Sequence, residues 1–257
     1  MARSKDEFFS IASHELRTPL TSIRGNSRMI LDYYKDVLIK DTPLKEMVED
    51  VYSSAVRLIE IVNDFLDLSR LEQGKMVFTY LPVSLQAVIE SVVQEMQVVL
   101  SDKNLYLKMD APTFDSLPKV WADEDRLKQV VYNLIGNAAK FTDNGGITLK
   151  AQVIGTIIKV LVIDTGRGMT PESQQLLFHK FQQASSSTLT RDSTRGTGLG
   201  LYISKMMVES MGGTIDLEKS TEAEGSIFSF TVPIATTETP TIKVRQSTKH
   251  TAHLSPR

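Results

Sequence analysis

An apolar residue returns at every seventh position through the first quarter of this chain, and that beat restricts the fold more than any other feature of the sequence. Phe9, Leu16, Ile23, Ile30 and Val37 carry it first, and Leu44, Val51, Leu58 and Phe65 carry it again. On a helix of 3.6 residues per turn a seven-residue repeat draws one seam, suited to packing against other helices. Residues 4–37 therefore read as one long helix. Lys40-Asp41-Thr42-Pro43 is a turn, its proline fit for the first turn of the next helix. In that second helix Val48, Ala55 and Val62 each follow a seam residue by four positions and widen the apolar face. Two helices cannot enclose a core around such faces. Two hairpins from two chains can, as a four-helix bundle, so the pattern predicts a homodimer. Packing of the hairpin against the rest of its own chain is the alternative.

His14 lies off the seam. Five residues past Phe9 is about 140° around a helix, so its imidazole is expected to face solvent beside Glu15. A lone histidine there is ordinarily just a solvated side chain; its surroundings, SHELRTPL, are what single it out. Pro19 costs a helical hydrogen bond and is expected to kink the helix just after this turn.

Gly74 in LEQGKM sits where a left-handed residue would stop the second helix. From Ser84 a new helix begins with a capping residue, and Leu85, Val88, Ile89, Val92, Val93, Met96 and Val99 give it one apolar face. The sequence thus divides into a hairpin at 1–75, a linker at 76–83, a second domain at 84–235 and a tail at 236–257. At 257 residues and 41% hydrophobic content there is material for two modest domains. In the second, LYLKMD and KVWAD read as short strands before a helix at 123–141. ITLKAQVI and IIKVLVI form a pair joined at Gly155-Thr156, and TIDLEK and SIFSFTV a later pair after a helix at 198–211. Helices interspersed with hairpin-linked strands predict an α/β two-layer sandwich with a mixed sheet. The tail is threonine-rich and carries Lys243, Arg245, Lys249 and Arg257 against Glu238. It is expected to be disordered, either as an uninvolved terminus or as a basic docking segment.

Three strings in the second domain have the chemistry of a nucleotide site. In DEDRLKQVVYNLIGNAAKF the apolar face is Leu127, Val130, Val131, Leu134, Ile135 and Ala138, while Asn133, Asn137 and Lys140 fall at i, i+4 and i+7 on another face. Carboxamide oxygens are neutral hard ligands suited to Mg²⁺, and a lysine can offset phosphate charge; amides on a solvated face are the bland alternative. In IDTGRGM, Asp164 ends an apolar strand and is followed by Gly166 and Gly168, which permit close backbone approach; a plain turn would look similar. GTGLGL places Gly196, Gly198 and Gly200 at a helix start, where amides can meet phosphates. It fits neither GxGxxG nor a Walker A loop with its lysine, so Rossmann and P-loop folds read poorly.

Taken together these strings resemble the sensor histidine kinases: SHELRTPL their H-box, NLIGNAAKFT the N-box of the GHKL group of ATP-binding proteins, IDTGRGM the G1 box, LLFHKFQQ the F-box, and GTGLGL the G2 box. The likeness covers residues 4–235, with the boxes in family order. It implies ATP-dependent autophosphorylation on His14, with Glu15 bonded to one ring nitrogen and the other free to attack phosphorus. It also implies phosphotransfer to an aspartate of a response-regulator receiver domain, and a water-orienting role for Thr18 in dephosphorylating that regulator. Asn137 would coordinate Mg²⁺. Asn133, Lys140, Phe141, Asp164, Gly166, Gly168, Gly196, Thr197, Gly198, Leu199 and Gly200 would contact ATP, with Asp164 accepting the adenine amine. Phe178 and Phe181 would anchor a lid. Gln182 and Gln183 stand where many relatives carry an arginine that reaches the γ-phosphate, so Arg191 or Arg195 is expected to substitute. A clamp-type ATPase would share the N and G boxes without needing SHELRTPL. A nucleotide-binding scaffold without chemistry is the non-enzyme alternative.

A formal net charge of −2 gives no general reason to expect nucleic acid or anionic membrane as partner. The absence of cysteine excludes disulfides and thiolate metal sites and is compatible with a cytoplasmic location. No stretch approaches the roughly 20 apolar residues of a membrane span, so no membrane contact is expected within this chain, although an upstream membrane-bound portion would be compatible with its start beside the reactive helix.

Overall fold

The computed structural model describes residues 2–182 and 197–236, with side chains from Glu15 onward. The orientation of the His14 imidazole, Gln183, Arg191, Arg195, Gly196 and the tail from residue 237 lie outside the described residues. The first helix, α1 (Ala2–Tyr33), is followed after one break at Tyr34 by α2 (Lys35–Leu38), and then by α3 (Thr42–Glu72). The sequence implied one helix to Val37. The break turns Leu38 inward to 3% exposure while leaving Tyr33 and Tyr34 in solvent, which accounts for the departure. Asp41 caps α3 by accepting from the Leu44 amide at 3.0 Å, with Pro43 in the first turn. Gly74 follows α3 at φ +64°.

α1 and α3 pack as a hairpin, yet the heptad positions stay bare. Leu16, Ile23, Ile30, Val37, Leu44, Val51, Leu58 and Phe65 are each between 38% and 52% exposed. Among the described residues the seam is only half covered along most of its length.

Residues 76–83 do not form a free connector. Leu81–Val83 is strand β1; Met76 and Val83 join the core, Thr79 N–H donates to Asp123 Oδ2 at 2.7 Å, and Tyr80 hydroxyl donates to the Ser210 carbonyl at 2.7 Å. The apolar side chains of this stretch have a core to enter. Pro82 is tolerated because β1 belongs to a sheet of only two strands, whose other edge demands no donor.

The rest is a two-layer sandwich. Its elements are α4 (Leu85–Ser101), β2 (Tyr106–Met109), β3 (Val120–Ala122), α5 (Glu124–Lys140), β4 (Gly146–Ile154), β5 (Ile157–Asp164), α6 (Pro171–Gln175), α7 (Gly200–Ser210), β6 (Ile215–Thr221) and β7 (Gly225–Pro233). β1 pairs with β3, and the main sheet runs β2-β4-β5-β7-β6, parallel between β2 and β4 and antiparallel elsewhere. Side chains from α4, α5 and α7 meet one face of this sheet, burying Ile89, Leu127, Ile135 and Met207 against Ile147, Leu149, Ile158 and Phe230. Along β5 the inward side chains are Ile158, Val160, Val162 and then Asp164. The strict alternation carries a carboxylate to the end of an apolar row, and so into a nearly dry position.

Candidate functional site

α5 presents its apolar stripe to the sheet and its amides to α7. Asp123 caps it by accepting from the Arg126 amide at 3.1 Å. Asn133 Nδ2 donates to Ser204 Oγ of α7 at 2.8 Å, and Asn137 Nδ2 points to Asn133 Oδ1 at 3.4 Å. With its amino group turned to Asn133, Asn137 has its carbonyl oxygen on the opposite branch of the amide, where a hard cation could take it. Among the described residues no group of three or more His, Asp or Glu side chains could hold a metal by itself. An ion here would complete its shell with phosphate oxygens and water, which suits Mg²⁺.

At the end of α5 two cations lie over the Phe141 ring, with Lys140 Nζ 5.1 Å and Arg167 Cζ 4.7 Å from its centroid. Burial depresses the Lys140 pKa, and the neighbouring charges of Arg57 and Arg167 depress it further. An anion arriving at this corner would relieve that repulsion.

Asp164 is 6% exposed. Its Oδ1 accepts from the Gly166 amide at 2.9 Å and from the Ser226 amide at 3.1 Å, leaving Oδ2 as the acceptor available to an exocyclic amine. Burial pushes its carboxyl above the ordinary range, against the opposing pull of those two amide bonds. The glycines that follow are needed by the protein itself. A Cβ on Gly166 would fall 2.3 Å from the Phe141 carbonyl oxygen. One on Gly168, at φ +65°, would fall 1.9 Å from that of Thr221. Close approach was expected on the sequence, but here it is backbone against backbone, and it locks this loop to α5 and to the β6–β7 turn.

Thr197, Gly198 and Leu199 lead into α7. Gly198 has φ +71°, and a Cβ on Gly200 would lie 2.5 Å from Asn133 Oδ1, so both α5 and this loop depend on the missing side chain. Leu199 N–H donates to Thr197 Oγ1 at 3.0 Å, and Thr197 Oγ1 donates to Asp64 Oδ2 of α3 at 2.7 Å. Phe178 packs edge-on against Phe228 with ring centroids 6.4 Å apart, whereas Phe181 is 63% exposed.

His14 lies in α1, where Glu15 and Thr18 are on exposed turns. One turn beyond His14, Arg17 Nη2 donates to Asn63 Oδ1 of α3 at 2.7 Å. Ser204, Ser226, Asn63, Asp64 and Arg57 escaped the sequence reading. The spacing of Glu60, Asp64 and Asp67 on α3 is a local signal that could have drawn attention to Asp64; the others leave none.

Residues 4–74 match the family model described as the His Kinase A (phospho-acceptor) domain, and residues 122–236 that of the Histidine kinase-, DNA gyrase B-, and HSP90-like ATPase. Over 237 residues the chain is 37% identical to the non-motile and phage-resistance protein of Caulobacter vibrioides, covering 90% of this chain and 27% of that one. It is 36% identical to the circadian input-output histidine kinase CikA of Synechococcus elongatus, covering 90% and 30%. With the signal transduction histidine-protein kinase BarA of Escherichia coli the figures are 39% identity, 89% and 24%. The chain therefore spans less than a third of the length of these relatives. Full-length ShkA, solved in complex with AMPPNP, superposes with a TM-score of 0.70 at 30% identity, covering 90% of this chain and 46% of ShkA.

Proposed function

We propose that this chain, which belongs to the sensor histidine kinases, is a catalytic core that moves the γ-phosphoryl group of ATP onto His14 and then to a receiver-domain aspartate. The observation that carries this reading is the line from Ser204 through Asn133 to Asn137, which brings the amides of α5 and the loop of Thr197–Gly200 to one site. Lys140 and Arg167 supply positive charge at its edge, and Asp164 supplies an acceptor at its floor. Bound Mg²⁺, held through Asn137 Oδ1, would neutralise phosphate charge.

In the transfer, a ring nitrogen of His14 forms the N–P bond as the bond from γ-phosphorus to the bridging oxygen breaks, and ADP leaves. Glu15 accepts the hydrogen bond of the other ring nitrogen and balances the imidazolium. Thr18, one turn on, orients water for dephosphorylation of the regulator. The bare heptad residues of α1 and α3 support a homodimer, which would cover them in a four-helix bundle made by residues 1–75 of two chains; residues 84–235 would form the ATP-binding domain. No helix among the described residues is long and apolar enough to cross a membrane, and the core would work in the cytoplasm.

The test is incubation of the parent and His14→Ala with Mg²⁺ and γ-labelled ATP. Base-stable, acid-labile label is expected on the parent only. Label of that kind on both would refute His14 as acceptor, and ATP binding without label on either would favour a scaffold.

A further inference from the structure

α3 carries Glu60, Asp64 and Asp67 at i, i+4 and i+7, and the last two of them meet the ATP-binding unit. Asp67 Oδ2 accepts from Gln129 Nε2 at 2.9 Å and lies 4.0 Å from Arg126 Nη1, both at the start of α5. Further along, Glu72 pairs with Lys180. These contacts hold the sandwich on the hairpin. Asp64 does something more specific, because its partner is Thr197, in the loop that leads into α7.

A threonine hydroxyl has one proton to give and two lone pairs to offer. Here the proton goes to Asp64 Oδ2 at 2.7 Å, and that orientation turns a lone pair to Leu199 N–H, which donates to it at 3.0 Å. Two donors that an anion would want from this loop, the Thr197 hydroxyl and the Leu199 amide, are thus both engaged. The group that engages them is a carboxylate, which also repels phosphate.

We propose that Asp64 is an autoinhibitory positioning residue: it latches Thr197 so that the loop's donors are closed to the phosphates of ATP until the sandwich leaves α3. The proposal rests on the reading of this loop as the phosphate site. Nucleotide and hairpin then compete for the same hydroxyl. ATP binding loosens the docked arrangement, and the docked arrangement weakens ATP binding by the same factor. The ATP-binding unit is released from α3 by its own substrate.

The experiment uses the full chain with Mg²⁺ and a non-hydrolysable ATP analogue, measuring affinity for the parent, Asp64→Ala and Asp64→Asn. Asp64→Ala is expected to bind about five- to tenfold more tightly, the scale of one net hydrogen bond. Asp64→Asn keeps the side chain's shape and an acceptor but loses its charge, so its gain should be smaller and of the same sign. A misfolded variant cannot bind more tightly than the parent, so the direction separates a latch from a structural role. In the nucleotide-free chain the Leu199 amide should also exchange with solvent faster in Asp64→Ala. Equal or weaker affinity in both variants would overturn the latch, as would unchanged exchange at Leu199. Absence of nucleotide binding in all three proteins would instead overturn the phosphate-site reading, and the latch with it.

Discussion

Arg17 donates from Nη2 to Asn63 Oδ1 at 2.7 Å, fastening the turn that follows His14 to the second helix of the hairpin. Both side chains are exposed, so the bond contributes little to overall stability, and Asn63→Ala should cost under about 1 kcal/mol in thermal unfolding. Its effect belongs to the reactive turn. Hydrogen exchange of residues 12–20 should quicken in Asn63→Ala while the sandwich is unaffected, and equal quickening everywhere would refute a local tie.

Asn137 and Ser204 should differ in degree and agree in their dependence on metal. Ser204→Ala leaves Asn133 Nδ2 without the acceptor that orients it, and Mg-nucleotide affinity should fall about tenfold, as for groups that orient a metal ligand. Asn137→Ala removes the proposed ligand itself and should cost more. Titrations repeated in a chelator should bring all three proteins close together. A difference that persists without metal would remove the coordinating role.

Gly168 and Gly155 form a controlled pair. Both have positive φ, +65° and +57°, but a Cβ on Gly168 meets the Thr221 carbonyl while one on Gly155 meets nothing within 4 Å. Gly155→Ala should therefore cost about 1–2 kcal/mol, the left-handed penalty alone. Gly168→Ala should cost clearly more in denaturant unfolding, because the loop must also shift. Equal costs would show that the loop yields freely.

The Asp164 carboxyl gives two opposite pH dependences. Burial raises its pKa in the native state, so the folded protein holds this proton at higher pH than the unfolded chain does. The resulting contribution to stability is complete below the ordinary carboxylate range and is lost as pH rises through the raised native value. On the proposed reading binding runs the other way: protonation removes the acceptor that Asp164 would offer an adenine amine, so affinity should weaken as pH falls through that window. Asp164→Asn should flatten the stability profile between these limits. An unchanged profile would mean that another group titrates there.

Much of this was legible in the sequence because periodicity and burial are the same fact seen twice. The apolar run IIKVLVI announced β5 with Asp164 at its end, and the structure's alternation of Ile158, Val160 and Val162 puts that carboxylate on the inner face. The face of α4 was traced through Val99, which is 53% exposed, whereas Leu100 is 1% exposed. Near a helix end the 3.6-residue drift decides between neighbours that a pattern of threes and fours leaves equal. The sequence shows Gly166 and Gly168, but the contacts that require them, Phe141 and Thr221, lie on other elements and leave no local trace. Asp64, Asn63 and Ser204 stayed hidden for a related reason. Their importance comes from partners 46 to 133 positions away, and a solvated polar residue reads the same until its partner is known.

Finally, α3 is 31 residues without interruption, about 46 Å of helix. Asn63 and Asp64 are consecutive on it, so one faces the reactive turn and the other the nucleotide loop, about 100° apart. A torsion of about 20° applied to this shaft would sweep a side-chain tip some 6 Å from the axis through about 2 Å, enough to part a hydrogen bond. Both grips would change phase in the same stroke. The element that carries the exposed seam is thus also a drive shaft, and a twist at its Leu44 end is felt by the turn after His14 and by the loop at Thr197 at once.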